Sequence, residues 1–191
     1  DLNESALNGD RIIEIIKTIE KNKPLFLDGF VSALSIISNY MVENSIKLSY
    51  TPKFIVTGAE PLFDRDRDMI ERAFNCKVVN RYGGTEFGLL GQECSSQSNS
   101  NHYLHVQSYK TYVEIIKTSK SLSEGEIVVT DLFNKAMPLI RYKSGDYGDI
   151  NTDYQCACGS NTPVFTSISG RENDILKLKD VYMSGNDLVH T

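Results

Sequence analysis

At 191 residues the chain is long enough to bury a core, as one domain or as two small ones. Its 40% hydrophobic and 24% charged content is that of an ordinary globular protein, and a net charge of −5 argues against nucleic acid or an anionic membrane as main partner. No apolar stretch approaches the roughly 18–20 residues that span a bilayer, and no signal-peptide pattern is present. Four unevenly placed cysteines do not suggest a disulfide framework, so a reduced, cytoplasmic setting is expected. The chain opens on Asp1 and closes soon after Ser184-Gly185-Asn186-Asp187, which suggests a piece of a longer protein.

Residues 10–90 read as helices alternating with strands. Asp10 is placed to cap a helix carrying Ile12, Ile13, Ile16 and Ile19 at helical spacing, ended by Asn22 and Pro24. Leu25-Phe26-Leu27 is a short buried strand turning at Asp28-Gly29. A second helix presents Ala33, Leu34, Ile37 and Met41 on one face. Phe54-Ile55-Val56 is a central strand ending in Thr57-Gly58-Ala59-Glu60-Pro61. A third helix carries Met69, Ile70, Ala73 and Phe74, and Lys77-Val78-Val79 is the strand after it. Residues 64–68, Glu71 and Arg72 read as a solvated helix face. This alternation predicts a parallel sheet with helical crossovers, whose ligands bind beyond the carboxyl ends of the strands. Both Gly58-Ala59-Glu60 and the loop Arg81-Tyr82-Gly83-Gly84-Thr85-Glu86-Phe87-Gly88 fall on that edge.

The texture changes from about residue 103. Short β-rich runs at 112–116, 126–130, 138–142 and 164–168 are separated by Gly, Asp, Asn and Ser, which predicts a small antiparallel barrel or folded sheet. The connector 95–101 holds only Ser, Asn and Gln and reads as a surface loop. The division expected is an α/β subdomain over 1–92, a β-rich subdomain over 93–170 and a hinge over 171–191.

Several loops could carry chemistry. A Gly-Gly loop lets backbone approach a phosphate while a ring stacks on a base and a carboxylate holds a metal; a plain turn with a buried tyrosine is the competing explanation. Tyr142-Lys143-Ser144-Gly145-Asp146 is expected where a strand ends. Its aspartate could accept two ribose hydroxyls, although a Ser-Gly-Asp hairpin turn would look the same. Gly170-Arg171, followed by Asn173-Asp174, is a similar case.

Together these loops resemble those of the adenylate-forming enzymes, the acyl-CoA synthetases and their relatives. The likeness covers residues 24–179 and is nearest to the phenylacetate–CoA ligase-like branch, which includes capsular-polysaccharide homologues. Glu126-Ile127-Val128-Val129-Thr130-Asp131-Leu132 and Ala136-Met137-Pro138-Leu139-Ile140-Arg141-Tyr142 also look like that branch. The resemblance implies that Gly58, Ala59 and Glu60 lie along the adenine and that Tyr82 stacks on it, followed by Gly83 and Gly84. It implies that Thr85 bonds the α-phosphate, that Glu86 helps hold Mg²⁺, and that Asp146 and Arg171 grip the ribose. Thr85 and Glu86 would be the catalytic pair. The implied reaction is carboxylate attack on ATP to give an acyl-adenylate, then displacement of AMP by a thiol, usually that of CoA. The implied partners are a nucleotide and a small carboxylic acid, with a homodimer left open.

The family's upstream phosphate loop and its lysine-bearing C-terminal domain are expected to lie outside these 191 residues. Asp174 would sit at the hinge, with residues 177–191 beginning the crossing. The isolated chain is therefore expected to be inactive in ligation while binding AMP or an acyl-adenylate weakly. The alternative from another class is a non-catalytic nucleotide-binding or zinc-stapled module supporting surface-polysaccharide assembly.

Cys156-Ala157-Cys158-Gly159 can present two thiolates to one metal. In the resembled branch a cysteine after the glutamate loop, a Leu-His step and such a turn recur. On that basis Cys94, His105, Cys156 and Cys158 are assigned to a structural Zn²⁺, against four reduced thiols as the plainer account. His102 is the reserve imidazole, on the opposite strand face. Cys76 reads as a packed thiol and His190 as solvated.

Overall fold

The structure is a computed structural model that describes residues 8–94, 96, 101–117, 124–171, 176–178 and 181–183. The chain divides into two compact units, Asp1–Tyr82 and Gly83–Thr191. The expected subdomain division at 92/93 lies ten residues further along.

The first unit is built on α1 (Gly9–Asn22), β1 (Phe26–Gly29), α2 (Val31–Glu43), β2 (Phe54–Gly58), α3 (Asp64–Phe74) and the start of β3 (Lys77–Gly84). β1, β2 and β3 pair in parallel, Phe26 opposite Phe54 and Ile55 opposite Val78. Parallel pairing requires crossovers, and α2 and α3 supply them. Ile12 and Ile16 of α1, Leu34, Ile37 and Met41 of α2 and Ile70 and Phe74 of α3 close on Ile55 and Val78 in one core. The helical spacing of the first and the strand pattern of the second therefore describe two sides of one apolar cluster.

Three local expectations are corrected. Asn8, not Asp10, caps α1: its side-chain oxygen accepts from Arg11 N at 2.9 Å, and Asp10 stands in the first turn. Asp28 and Gly29 continue β1, because Lys53 N donates to Leu25 O and the ladder carries on to Thr57. Nor is the 64–68 stretch wholly solvated. Arg67 is 6% exposed and donates to Val78 O at 3.1 Å, while Glu71 accepts from Val78 N and from Lys77. These bonds fasten α3 to the start of β3, a task that charge alternation alone does not reveal.

Cys76 packs against the core as expected, and burial, reinforced by Glu71, pushes its thiol up to about 11. Because the folded state disfavours the thiolate, the associated stability is full below the ordinary thiol value near 9 and is lost as pH rises towards 11. Denaturant midpoints followed from pH 8 to 11 should therefore fall less steeply in Cys76→Ala than in the parent chain.

In the second unit, β4 (Gly88–Glu93), β5 (Leu104–Val106), β6 (Thr111–Ile116), β7 (Gly125–Asp131), β8 (Tyr142–Asn151) and β9 (Val164–Arg171) form an antiparallel sheet in the order β4-β5-β9-β8-β7-β6. β10 (Leu176–Leu178) and β11 (Val181–Met183) make a separate hairpin. Ile127, Val128, Val129, Val164 and Phe165 are fully buried and supply this unit's core. The expected strand over 138–142 is a bent segment instead, and β8 begins only at Tyr142. Most of the 95–101 connector, Asn173, Asp174 and His190 lie outside the described residues.

Candidate nucleotide loops and a candidate metal centre

In the first unit, β2 runs out into Gly58-Ala59-Glu60 beside the end of β3, with Gly58 opposite Arg81. A Cβ on Gly58 would come within 3.2 Å of Arg81 O, so a small residue is needed where the two strands meet. Ala59 holds a left-handed conformation at φ 67°, a strained state that persists only when neighbours fix it. Glu60 provides the fixing. Its Oε2 accepts from Ser32 N at 2.7 Å and its Oε1 from Ser32 Oγ at 2.9 Å. Phe30, the cap residue of α2, offers no side-chain bond, so Glu60 supplies the anion that this helix N-terminus favours. Gly58 and Ala59 thus border an open edge, while the Glu60 carboxylate is committed to α2. Glu60→Ala is expected to cost about 1–2 kcal/mol of stability, the loss of a capping acceptor, readable as a lowered denaturant midpoint.

Tyr82, Gly83 and Gly84 belong to β3, so the glycine motif is the end of a strand rather than a loop. Residues 85–87 form the turn, and β4 starts at Gly88. A Cβ on Gly83 would lie 2.4 Å from Gly88 O and 3.1 Å from Leu89 Cα. Only glycine allows this approach. The turn leaves Thr85 and Glu86 exposed and buries Phe87, whose ring meets Tyr142 at 6.1 Å. Lys110 Nζ donates to Phe87 O at 2.8 Å, so a cation on the loop before β6 holds the turn from beneath. Nothing in the sequence marks Lys110, because the contact joins residues far apart in the chain.

Asp146 stands four residues beyond Tyr142 and opposite Arg171 in the β8–β9 ladder. The 142–146 segment opens β8 and is not a strand end. From Glu126 to Val128 the pairing moves from Tyr147 to Lys143, so Ser144-Gly145-Asp146 bulges from β8. Gly145 takes φ 80° there. Ser144 Oγ donates to Ile127 O at 2.9 Å and accepts from Asp146 N at 3.0 Å, closing the bulge on itself. Bulges of this kind re-aim a side chain at sheet edges and next to active sites.

The four assigned metal ligands come together. One ligand atom each from Cys94, His105, Cys156 and Cys158 lies within 4.8 Å of the others. Cys94 follows β4, His105 sits in β5 opposite Gln92, and the Cys-x-Cys turn lies between β8 and β9. Tetrahedral zinc, with Zn–S of about 2.3 Å and Zn–N of about 2.0–2.1 Å, puts neighbouring S and N about 3.6 Å apart. Cys158 Sγ and His105 Nε2 are separated by 3.6 Å. His105 Nδ1 meets Thr162 Oγ1 at 3.1 Å, which leaves Nε2 as the ligating nitrogen when Nδ1–H donates. Ser96 N and Ser160 N donate to Cys94 Sγ and Cys158 Sγ, each at 3.4 Å. The Ser160 N–H bond, followed by contacts with Cys156, holds the Cys158 thiol below its ordinary value, while burial lowers His105. The donor set fits a closed Cys₃His site. His102 is turned instead towards Glu93, at 3.6 Å.

The sequence and the fold are similar to those of known proteins. No family model matches the chain. It is 31% identical over 173 residues to Protein CapK of Staphylococcus aureus, covering 91% of this chain and 37% of that protein. It is 30% identical over 134 residues to phenylacetate-coenzyme A ligase of Thermus thermophilus, covering 68% and 30% respectively. The chain thus spans about a third of the length of these curated relatives. In fold it is similar to 2-hydroxyisobutyryl-CoA ligase in complex with R3-HIB-AMP, with a TM-score of 0.78 at 18% identity over 94% of this chain and 40% of that one.

Proposed function

Because the chain belongs to the adenylate-forming superfamily, on its phenylacetate–CoA ligase-like branch, we propose that it carries adenosine-binding elements of an enzyme that activates a small carboxylic acid with ATP. The observation that carries the reading is the Thr85–Glu86 turn, exposed at the tip of a hairpin that only Gly83 allows and braced by Lys110. Gly58 and Ala59 border the adenine edge in the first unit, and Tyr82 offers its ring to the base. Asp146 and Arg171, paired across β8 and β9, serve the ribose hydroxyls. Thr85 donates to the α-phosphate. Glu86, an exposed carboxylate, suits Mg²⁺, which binds through one or two carboxylates together with substrate phosphates and neutralises their charge when present. The chain's own contribution to acyl transfer is to hold the nucleotide in line and to donate to the α-phosphate; no protein nucleophile is needed. Thioester formation with CoA is proposed for the longer proteins of this branch.

We assign Zn²⁺ to Cys94, His105, Cys156 and Cys158 as a structural ion tying β4, β5 and the β8–β9 connection. Its role is the same whether the surrounding protein is a ligase or a nucleotide-binding module. Among the described residues no helix is long and apolar enough to cross a membrane.

Titration calorimetry tests the nucleotide reading. AMP should bind the chain, Tyr82→Ala should weaken it by about tenfold through loss of base stacking, and acid-dependent pyrophosphate exchange by this chain should stay at background. Equal AMP affinity in Tyr82→Ala would overturn it, while robust exchange would overturn only the expected inactivity of the isolated chain.

A further inference from the structure

An ion pair stands on the same strand edge as Gly58 and Tyr82, and the nucleotide reading gives it no task. Arg81 Nη2 lies 2.7 Å from both Oδ1 and Oδ2 of Asp28. The two residues belong to β3 and β1, with β2 between them. Arg81 pairs directly with Gly58, and the missing side chain at Gly58 leaves the guanidinium a path across the central strand. Among the described residues the Arg81 side chain bonds through Nη2 alone, leaving Nε and Nη1 as donors, and the side chains are 33% and 48% exposed. Asp28 and Arg81 both lie at the carboxyl ends of parallel strands, where ligands of such sheets bind. Arg81 also immediately precedes the residue offered to the base.

We propose that the Asp28–Arg81 pair is a specificity element for the acid, and that the acid it selects carries a hydroxyl group. The inference rests on the acid-activating reading above. The pair is net neutral and presents a donor next to an acceptor. A hydroxyl matches both, donating to an Asp28 oxygen while accepting from the guanidinium. A second carboxylate gains Arg81 but meets Asp28, and an ammonium group meets the reverse conflict. An unsubstituted alkyl or aryl acid strips water from both charges and returns no hydrogen bond.

The test uses non-hydrolysable 5′-O-(N-acylsulfamoyl)adenosines with acyl groups of equal length: 3-hydroxybutanoyl, butanoyl, succinyl and 3-aminobutanoyl. Affinities are measured by calorimetry on the intact chain, on Arg81→Met and on Asp28→Asn, with sulfamoyladenosine as the acid-free control. The 3-hydroxybutanoyl compound should bind the parent chain at least about tenfold tighter than the butanoyl compound, because a site built for a hydroxyl penalises its absence. Both variants should erase that ratio while leaving sulfamoyladenosine binding unchanged. Asp28→Asn should in addition improve the succinyl compound relative to the others. A butanoyl affinity equal to the hydroxybutanoyl one, or a ratio that survives in both variants, overturns the proposal. If sulfamoyladenosine itself fails to bind the parent chain, the nucleotide reading falls and this inference with it.

Discussion

Protein purified without chelator is expected to contain about one zinc per chain, and Cys156→Ser is expected to contain none. Cys156 is the most enclosed of the ligands at 9% exposure, and it shares its turn with Cys158, so its loss removes the thiolate least able to be replaced by water. The energetic stake is large. Structural zinc in small domains contributes about 10–16 kcal/mol of apparent binding free energy, against a typical total stability of about 5–15 kcal/mol. Strong chelation should therefore melt the β4, β5 and β9 ends of the second unit, seen as a lowered melting temperature and new amide exchange at Leu104 and Val164. Cys76→Ser is the matched control, because that thiol packs in the core of the first unit and should leave zinc content unchanged. Zinc-free protein with an unaltered melting temperature would reduce the cluster to four packed side chains.

The second large effect concerns Gly83. In Gly83→Ala the added carbon would sit 2.4 Å from Gly88 O and 3.0 Å from Gly88 C. Both are backbone atoms, so no side chain can swing away, and the hairpin must open. An overpacking cost of about 1–3 kcal/mol is expected, and with it displacement of the Thr85–Glu86 turn. AMP affinity should fall by about tenfold or more, since a misplacement near 1 Å is enough to cost rate or binding heavily. Gly145→Ala makes the informative comparison. Nothing lies within 4 Å of its added carbon, and only the φ of 80° opposes it, so about 1–2 kcal/mol should be lost without the steric clash. Parallel calorimetry and denaturation of the two variants separates steric obstruction from backbone preference.

The helices and parallel strands of the first unit were legible because their apolar spacing is set by the core they share. Ile12, Ile16, Ile37, Met41 and Ile70 all ended where their periodicity placed them. What the sequence concealed lies in polar residues whose partners are distant. Arg67 and Glu71 read as solvated until Val78 supplies their backbone partners. Glu60 looked like part of an open loop, yet Ser32, 28 positions earlier, takes both of its oxygens. The Ser144-Gly145-Asp146 turn was expected at a strand end, because turn chemistry alone cannot distinguish a hairpin tip from a bulge inside a ladder. The cysteine–histidine cluster is the opposite case. Its members come from three separate stretches of the chain, but their chemistry is rare enough that the resemblance grouped the same four that the fold brings together.

One titration addresses the central claim, that the chain carries adenosine-binding elements. In amide spectra of the isotope-labelled chain, AMP should shift residues 58–60 and 82 in the first unit and residues 83–86 and 144–146 in the second. Spectra in which neither group of residues responds to AMP would contradict it.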